Sequence, residues 1–301
     1  MSHPNLKPPT WTWKHHHLDF SWPLIMGILN VTPDSFSDGN HYFSVDRAVE
    51  RAWQMQHEGA DVLDVGAESS RPGAEVVNEK EELARLIPVL DKLKAQNFPL
   101  PISLDSYKAP VLKRLWEEGL IDIHNDISGL RDPENAEFVK RHRIPVIIMH
   151  MFGTPQTMQK EFSYQNVVQD LLTFFHDRLR DVDNDHLVMI DPGIGFGKSV
   201  EQNLDLLRNI DVFSQLGKPI LVGASRKSFL GTLLGLEVDK RLAGSLAVVS
   251  ALATKNVAMF RVHDVAQTHQ TLKIIRHLTC PMGVDSKDQT AEKSASSKLT
   301  A

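Results

Sequence analysis

Sulfur chemistry is nearly absent from this chain, which has one cysteine, Cys280, in 301 residues. A disulfide framework or a CxxC zinc cluster needs more than one, so both are excluded. No apolar run approaches the roughly 18 residues that a membrane helix needs. The first 23 residues mix Pro, Lys, His and Trp and contain no apolar signal-peptide core. There is no HExxH and no GxSxG, and no cysteine stands near a predicted strand end. Zincin, serine-hydrolase and thiol chemistry therefore have no support. A dominant charge is missing too: 33 Lys and Arg stand against 38 Asp and Glu, for a net charge of -5. That balance argues against a basic surface built for nucleic acid. The expectation is a soluble protein of a reducing compartment, most simply the cytoplasm.

What the chain does have is apolar material, at 42% of residues, enough for a full core. Short β-branched segments recur and each ends in a polar residue. The first four are 24–30, 61–66, 101–105 and 121–125; the next four are 145–150, 187–191, 219–225 and 258–263. Their length and composition predict buried parallel strands. The intervals carry helical periods: Ala48, Ala52 and Met55 share one face of 45–58, and Leu83, Leu86, Ile87, Leu90 and Leu93 follow Asn78. Asn78 with Glu81 reads as a capping box. Further helical patterns lie near 108–118, 134–142, 166–182, 201–215, 239–255 and 265–278. Eight βα units predict a single (β/α)8 barrel, with a doubly wound open sheet as the alternative.

The predicted organisation has three parts. Residues 1–23 hold Trp11, Trp13 and Trp22 and alternate as a short β ribbon; residues 24–283 form the barrel; residues 284–301 lack any hydrophobic period and are expected to be disordered. The run His15-His16-His17 reads as packing and surface residues of the ribbon rather than a metal site. The barrel uses up the chain and leaves no length for a second catalytic domain.

In such barrels chemistry sits at the C-terminal ends of the strands. Those ends supply Asn30, Asp64, Glu68, Asp105, Asn125, Asp126, His150, Asp191, Ser225, Arg226, Lys227, Arg261 and His263. Individually, strand ends are simply wet; jointly these residues predict a polar pocket. Arg226, Lys227, Arg261 and His263 on the last two strands suit an anionic group. Asp105, Asn125 and Asp191 could receive an amino-pyrimidine edge, act as an acid/base pair or hold a divalent cation, and spacing does not choose among these. The stretch from Asp191 to Ser199 fails as a phosphate loop, because Pro192 stands where glycine is required. It fails as a dinucleotide fingerprint because Lys198 does. It remains a glycine-lined binding loop. The loops carrying Phe36 and Arg71 read as a closing lid, with ordinary surface loops as the alternative.

The segments MGILNVTPDSFSDG, GAESSRPGA, ISLDSYK, HNDISG, MHMFGTPQTMQ, DPGIGFGK, VGASRKSFLG and RVHDV occur in this order. Together they closely resemble the dihydropteroate synthase family of folate biosynthesis, over about residues 24–278. The resemblance implies transfer of a pterin-methyl group from 6-hydroxymethyl-7,8-dihydropterin pyrophosphate to p-aminobenzoate, with Mg²⁺ required. By motif, Asp105, Asn125, Ile127, Met149, Asp191, Phe196, Gly223 and Lys227 would bind the pterin. Asn30, Ser70, Arg71, Arg261 and His263 would hold the pyrophosphate, with Asn30 also on the metal. Phe36, Ser70, Pro72 and Ser225 would form the p-aminobenzoate site, and Asp105, Lys227, Arg261 and His263 would carry catalysis. The family also implies a homodimer through outer helices and inhibition by sulfonamides.

Some positions depart from the family pattern: Ala67 and Ser70 replace its usual Gly and Thr, and Asn256-Val257 replaces Gly-Ala. None of these removes an implied ligand. Two rivals share the pterin grip. A methyltetrahydrofolate-dependent methyltransferase domain would need no SRKS, RxH or SSRPG segment. A non-catalytic pterin-binding paralogue would be expected to have lost Asn30, Arg71, Lys227 or His263, and all four are present.

Overall fold

A strand buried on both faces can be largely apolar, and the eight predicted segments are mostly buried. In the computed structural model they pair side by side, all parallel, and close into a barrel. The structure describes residues 10–32, 41–68, 77–153, 157 and 163–279, with backbone alone at 41–44. The barrel strands are β3 (Leu24–Asn30), β4 (Val62–Gly66), β5 (Ile102–Asp105) and β6 (Ile123–Asp126), then β7 (Val146–Met149), β8 (Val188–Asp191), β9 (Ile220–Val222) and β10 (Val257–Val262). Closure comes from β10 pairing with both β3 and β9. The open-sheet alternative is thereby excluded. The strand β9 ends at Val222, three residues short of the sequence expectation, because the chain turns at Ser225–Arg226 with a left-handed φ of 57° at Arg226.

Helices cover the outside: α1 (His41–His57), α2 (Glu79–Ala95), α3 (Ala109–Glu117), α4 (Pro133–His142), α5 (Val167–Arg180), α6 (Val200–Arg208), α7 (Ser228–Leu234), α8 (Leu242–Leu252) and α9 (Val265–Thr279). Ala48, Ala52 and Met55 are buried on the inner face of α1, as their period requires. The Asn78 side chain accepts from the Glu81 amide at 3.0 Å, but the Glu81 carboxylate pairs with Arg85 instead of returning to Asn78. So only half of the expected capping box forms. The reciprocal box occurs instead at α6, between Ser199 and Gln202. The pattern over 201–215 is not one helix: it breaks at Asn209 and resumes as a 3-10 turn over Ile210–Leu216. The short helix α7 begins inside the SRKSFLG segment, runs past it to Leu234 and carried no periodic signal of its own.

Below the barrel, β1 (Thr10–Trp13) and β2 (His16–Asp19) form the predicted antiparallel ribbon. Trp11, Leu18 and Phe20 from this segment cluster with Met26, Val62, Ile123, Ile147, Met189, Leu221 and Met259, the inward residues of the lower strand halves. The ribbon is therefore a plug that gives the barrel floor an apolar partner. His16 sits 3.4 Å from Asp122, and His17 is 2.9 Å from the Thr12 hydroxyl. Asp122 is held down at about 2: burial opposes this, but His16, the Ile102 amide and Lys14 outweigh it. The histidine run thus packs and pairs as expected. Among the described residues no group of three or more His, Cys, Asp or Glu could hold a metal. Residues 284–301, expected to be disordered, lie outside the described residues.

Candidate active site

Side chains alternate along a strand, so the inward residue two positions above each floor residue faces the barrel mouth. On β4 the pair is Val62 then Asp64; on β5, Ser103 then Asp105; on β6, Ile123 then Asn125; on β8, Met189 then Asp191; on β10, Met259 then Arg261. The lower member of most pairs belongs to the apolar plug, and the upper member is polar in every case. A buried polar layer thus lies on a dry floor.

Arg261 is the centre of that layer. Its Nε donates to Asp64 Oδ2 and its Nη2 to Asp105 Oδ2, both at 2.6 Å. Asn125 donates its amide to both oxygens of Asp64, at 3.2 and 3.3 Å. Burial alone would lower Arg261, but the charges of Asp64 and Asp105 push its pKa above the usual arginine value. Asp105 goes the other way: burial, helped by Asp64 and Glu82, raises it to about 7 against the pull of Arg261. Burial also raises Asp191, whose Oδ1 accepts from the Gly193 amide at 2.8 Å.

The neighbouring loops complete the mouth. Lys227 places Nζ 3.8 Å from the centre of the Phe196 ring. Burial, then the charge of Arg261, brings Lys227 down to about 8. Ile127, Met149, Met151 and Phe196 form a small apolar cluster beside the polar layer. Gly223 leaves room above β9: a Cβ there would lie 3.8 Å from Arg261 Cβ and 4.0 Å from Asp191 Oδ2. His263 Nδ1 lies 3.1 Å from the Ser225 hydroxyl, and burial, then Arg261, depresses its pKa to about 3, so the imidazole is neutral. Asn30 ends β3 at the same rim, in register with Gly66.

The structure thus brings together Asp105, Asn125, Ile127, Met149, Asp191, Phe196, Gly223, Lys227 and Arg261, with Asn30, Ser225 and His263 around them. Phe36, Ser70, Arg71 and Pro72 lie outside the described residues. Four strand-end residues are occupied elsewhere. Arg226 forms a two-pronged pair with Asp264, so it is not one of the mouth's cations. Asp126 accepts the amides of Ser128 and Leu130 and fixes a turn. Glu68 pairs with Lys108, which also bonds the buried Glu82 at 2.6 Å. His150 meets Lys198.

Two residues matter more than the sequence reading allowed. Asp64 appeared there only as one strand end among many, yet it ties Arg261 to Asn125 and is fully buried. The signal was available: a carboxylate inside the run Val62-Leu63-Asp64-Val65 has nowhere to find water. Lys198 was weighed only as a mismatch to a nucleotide motif, and nothing local marked it as buried.

A barrel mouth with a fixed guanidinium, three carboxylates, a carboxamide and an aromatic wall under a lysine suits a flat, nitrogen-rich ring bearing an anionic arm. Residues 26–263 match the family model described as pterin binding enzyme. A dihydropteroate synthase of Haemophilus influenzae is 45% identical over 262 residues, covering 85% of this chain and 94% of that protein. The barrel superposes on the Yersinia pestis dihydropteroate synthase in a sulfonamide complex with a TM-score of 0.84, at 38% identity, covering 91% of this chain and all of that one. It also superposes on the Xanthomonas albilineans enzyme in complex with 7,8-dihydropteroate, with a TM-score of 0.81 at 36% identity, again covering 91% of this chain and all of that one. This chain belongs to the dihydropteroate synthases of the pterin-binding enzyme family.

Proposed function

We propose that this protein condenses 6-hydroxymethyl-7,8-dihydropterin pyrophosphate with p-aminobenzoate to give 7,8-dihydropteroate and pyrophosphate, a step of folate biosynthesis. The observation that carries this reading is the buried polar layer of Asp64, Asp105, Asn125, Asp191 and Arg261 on an apolar floor. A pterin presents donors and acceptors along one edge and a π-face. Asp191 and Asn125 match the edge, Lys227 and Phe196 match the face, and Gly223 leaves the space. That a relative has been crystallised with 7,8-dihydropteroate supports a pterin as the ligand.

The chemistry follows from charge. The bond from the pterin methylene carbon to the pyrophosphate oxygen breaks, and both electrons leave with the oxygen. The carbon is left as a cation delocalised into the dihydropterin. Asp105, which carries charge above about pH 7, faces that cation; Arg261 and, on the rim, His263 with Ser225 face the departing anion. The arylamine nitrogen of p-aminobenzoate then forms the new C–N bond and releases one proton to pyrophosphate or solvent. An arylamine is neutral at pH 7, so no strong base is needed to make the nucleophile. This is an SN1-like path. Ser225 with Phe36, Ser70 and Pro72 would line the p-aminobenzoate side, and Ser70 and Arg71 would close on the pyrophosphate.

Asn30 fits a role toward Mg²⁺ as one neutral oxygen donor at the rim. No carboxylate cage stands among the described residues, which suits an ion that keeps waters and takes most of its remaining ligands from phosphate oxygens. When bound, Mg²⁺ would neutralise charge on the leaving pyrophosphate. A cytoplasmic setting is part of the same reading, and no described helix is long and apolar enough to cross a membrane. So is a homodimer through α7–α9, where Leu233, Leu234, Val238 and Ile274 are exposed.

The deciding experiment is product analysis. The purified protein is incubated with dihydropterin pyrophosphate, p-aminobenzoate and Mg²⁺, and dihydropteroate is measured by mass. Product requiring both substrates, with competition by a sulfonamide against p-aminobenzoate, is the expected result. Pterin binding without product overturns the synthase reading and favours a binding paralogue or a methyltransferase domain.

A further inference from the structure

A buried ammonium outside the polar layer has no place in the chemistry above. Lys198 follows the glycine-lined loop after β8, and its Nζ lies 2.9 Å from the Gly193 carbonyl and 2.9 Å from the Phe196 carbonyl. It also lies 3.2 Å from both the carbonyl and the Nδ1 of His150, at the end of β7. An ammonium has three hydrogens. Two serve the loop carbonyls, and the third is shared between the two acceptors of His150. Burying a cation this way is costly unless every hydrogen is used, and here each one is. Its pKa falls to about 7, chiefly from burial, while the charge of Asp191 opposes the fall. His150, driven down to about 2 by burial and then by Lys198, stays a neutral acceptor.

The loop that Lys198 ties is anchored by two buried side chains, Ile194 and Phe196. Polar bonds hold its backbone. The Gly193 amide donates to Asp191 and the Gly195 amide to Asn203, and Tyr164 donates to the Gly197 carbonyl at 2.9 Å. Gly193, at φ 68°, packs so close that a Cβ would lie 2.0 Å from the His150 carbonyl oxygen. Release of the ammonium would leave the Phe196 and His150 carbonyls facing one another without a donor, and the Gly193 carbonyl with the Phe196 amide alone, at 3.1 Å. The loop would open there, carrying Phe196 away from Lys227 and loosening the bond that orients Asp191.

We infer that Lys198 is a positioning residue for the pterin slot: with His150 it knots the loops after β7 and β8 so that Asp191 and the Phe196 ring keep their places. The inference rests on the proposed pterin site and adds a residue that touches no substrate. It separates the two substrates, because the partners of Lys198, namely His150, Gly193 and Phe196, are not among the residues assigned to p-aminobenzoate.

The test compares wild type, Lys198→Met, His150→Phe and His150→Asn. The probe is 6-hydroxymethylpterin, which lacks both the pyrophosphate and the arylamine, with its Kd read by calorimetry. Lys198→Met is expected to weaken the probe at least tenfold and raise KM for dihydropterin pyrophosphate similarly. KM for p-aminobenzoate at saturating pterin should change less than twofold. A role in folding alone would lower the active fraction and move neither ratio. If Lys198→Met does not fold, the histidine pair decides. Asn can offer its Oδ1 where Nδ1 stood, so His150→Asn should keep probe affinity within threefold while His150→Phe loses it. A folded Lys198→Met with an unchanged Kd, or equal affinities for the two histidine variants, overturns the inference. Failure of wild type to bind the probe removes the pterin-site reading itself, and this inference with it.

Discussion

Asp64 and Asp105, on the adjacent strands β4 and β5, share the single guanidinium of Arg261, each at 2.6 Å. Two carboxylates this close in a buried layer repel one another, and one cation cannot fully neutralise both. Burial first, and then the repulsion of Asp64, raises the pKa of Asp105 to about 7 against the pull of Arg261, so its charge is set by the pH of the assay.

The first prediction concerns that carboxylate. Asp105→Asn keeps the shape and an acceptor for Arg261 but removes the charge that faces the forming cation. The expected kcat is at least 100-fold below wild type, since a preorganised electrostatic contact of this kind is worth about 10²–10³ in rate. Removing one of two repelling carboxylates should leave the melting midpoint within a few degrees. Steady-state kinetics beside a thermal melt separates the two effects. Near-normal turnover would take Asp105 out of the mechanism.

A second prediction follows for pH. The Asp105 carboxylate gains charge as pH rises through about 7, and the Lys227 ammonium loses charge above about 8. The kcat/KM for the pterin substrate should therefore be bell-shaped with its maximum between these values. Arg261 acts on both groups, Asp64 and Glu82 act on Asp105, and Asp191 acts on Lys227, so the two limbs belong to the cluster as a whole. Stability runs the opposite way on the acid side. Asp105 holds its proton in the folded state where the unfolded chain, at the ordinary value of 3.8, has lost it. Its contribution is fully present below that value and is lost as pH rises to about 7. In Asp105→Asn the acid limb of the rate profile should vanish; its persistence would assign that limb elsewhere.

Much of this was readable in the sequence because the barrel repeats one unit. Strand positions follow from eight apolar runs, and the expected end falls within a residue of the observed one on every strand but β9, which stops three residues early. What escaped is set by contacts distant in sequence. Arg226 and Lys227 look alike on paper, yet the left-handed turn at Arg226 sends one to Asp264 and the next to Phe196. Lys198 is recognisable only once the loops after β7 and β8 are seen to meet. Asp64 was legible and under-read. The helix α7 is too short to show a period, and the Asn209 break in the 201–215 pattern depends on packing that no local pattern encodes.

A third prediction addresses the ribbon. Trp11 is buried against the barrel floor, with Phe20 edge-on at 5.8 Å. Trp11→Ala should cost about 3–5 kcal/mol, the usual range for an aromatic removed from a core. The ribbon touches only the lower layer, so the fraction that stays folded should keep wild-type KM values for both substrates. Urea unfolding with parallel kinetics checks this. A changed pterin KM at full folding would mean that the floor and the polar layer are mechanically coupled.

The last prediction concerns the outer face of α8. Helices covering a barrel are normally polar outside, but Leu242–Leu252 reads Leu-Ala-Gly-Ser-Leu-Ala-Val-Val-Ser-Ala-Leu, with no charged residue on any side. Its exposed positions include Ala243, Ala247 and Ala251, which recur every four residues and form one flat stripe. Leu233, Leu234 and Val238 on one flank and Ile274 on the other extend the apolar surface. A flat stripe of small residues lets a second helix approach closely, and a two-fold pairing would bury the same patch on both copies. A stable interface buries about 1,200–2,000 Å² in total, which three neighbouring helices can supply. Wild type should therefore sediment as a dimer. Ala247→Arg puts an uncompensated charge at the centre of the stripe, far from the barrel mouth, and should shift the protein to monomer at micromolar concentration while the melting midpoint falls. A monomeric wild type in sedimentation velocity would show that this apolar face serves some other contact.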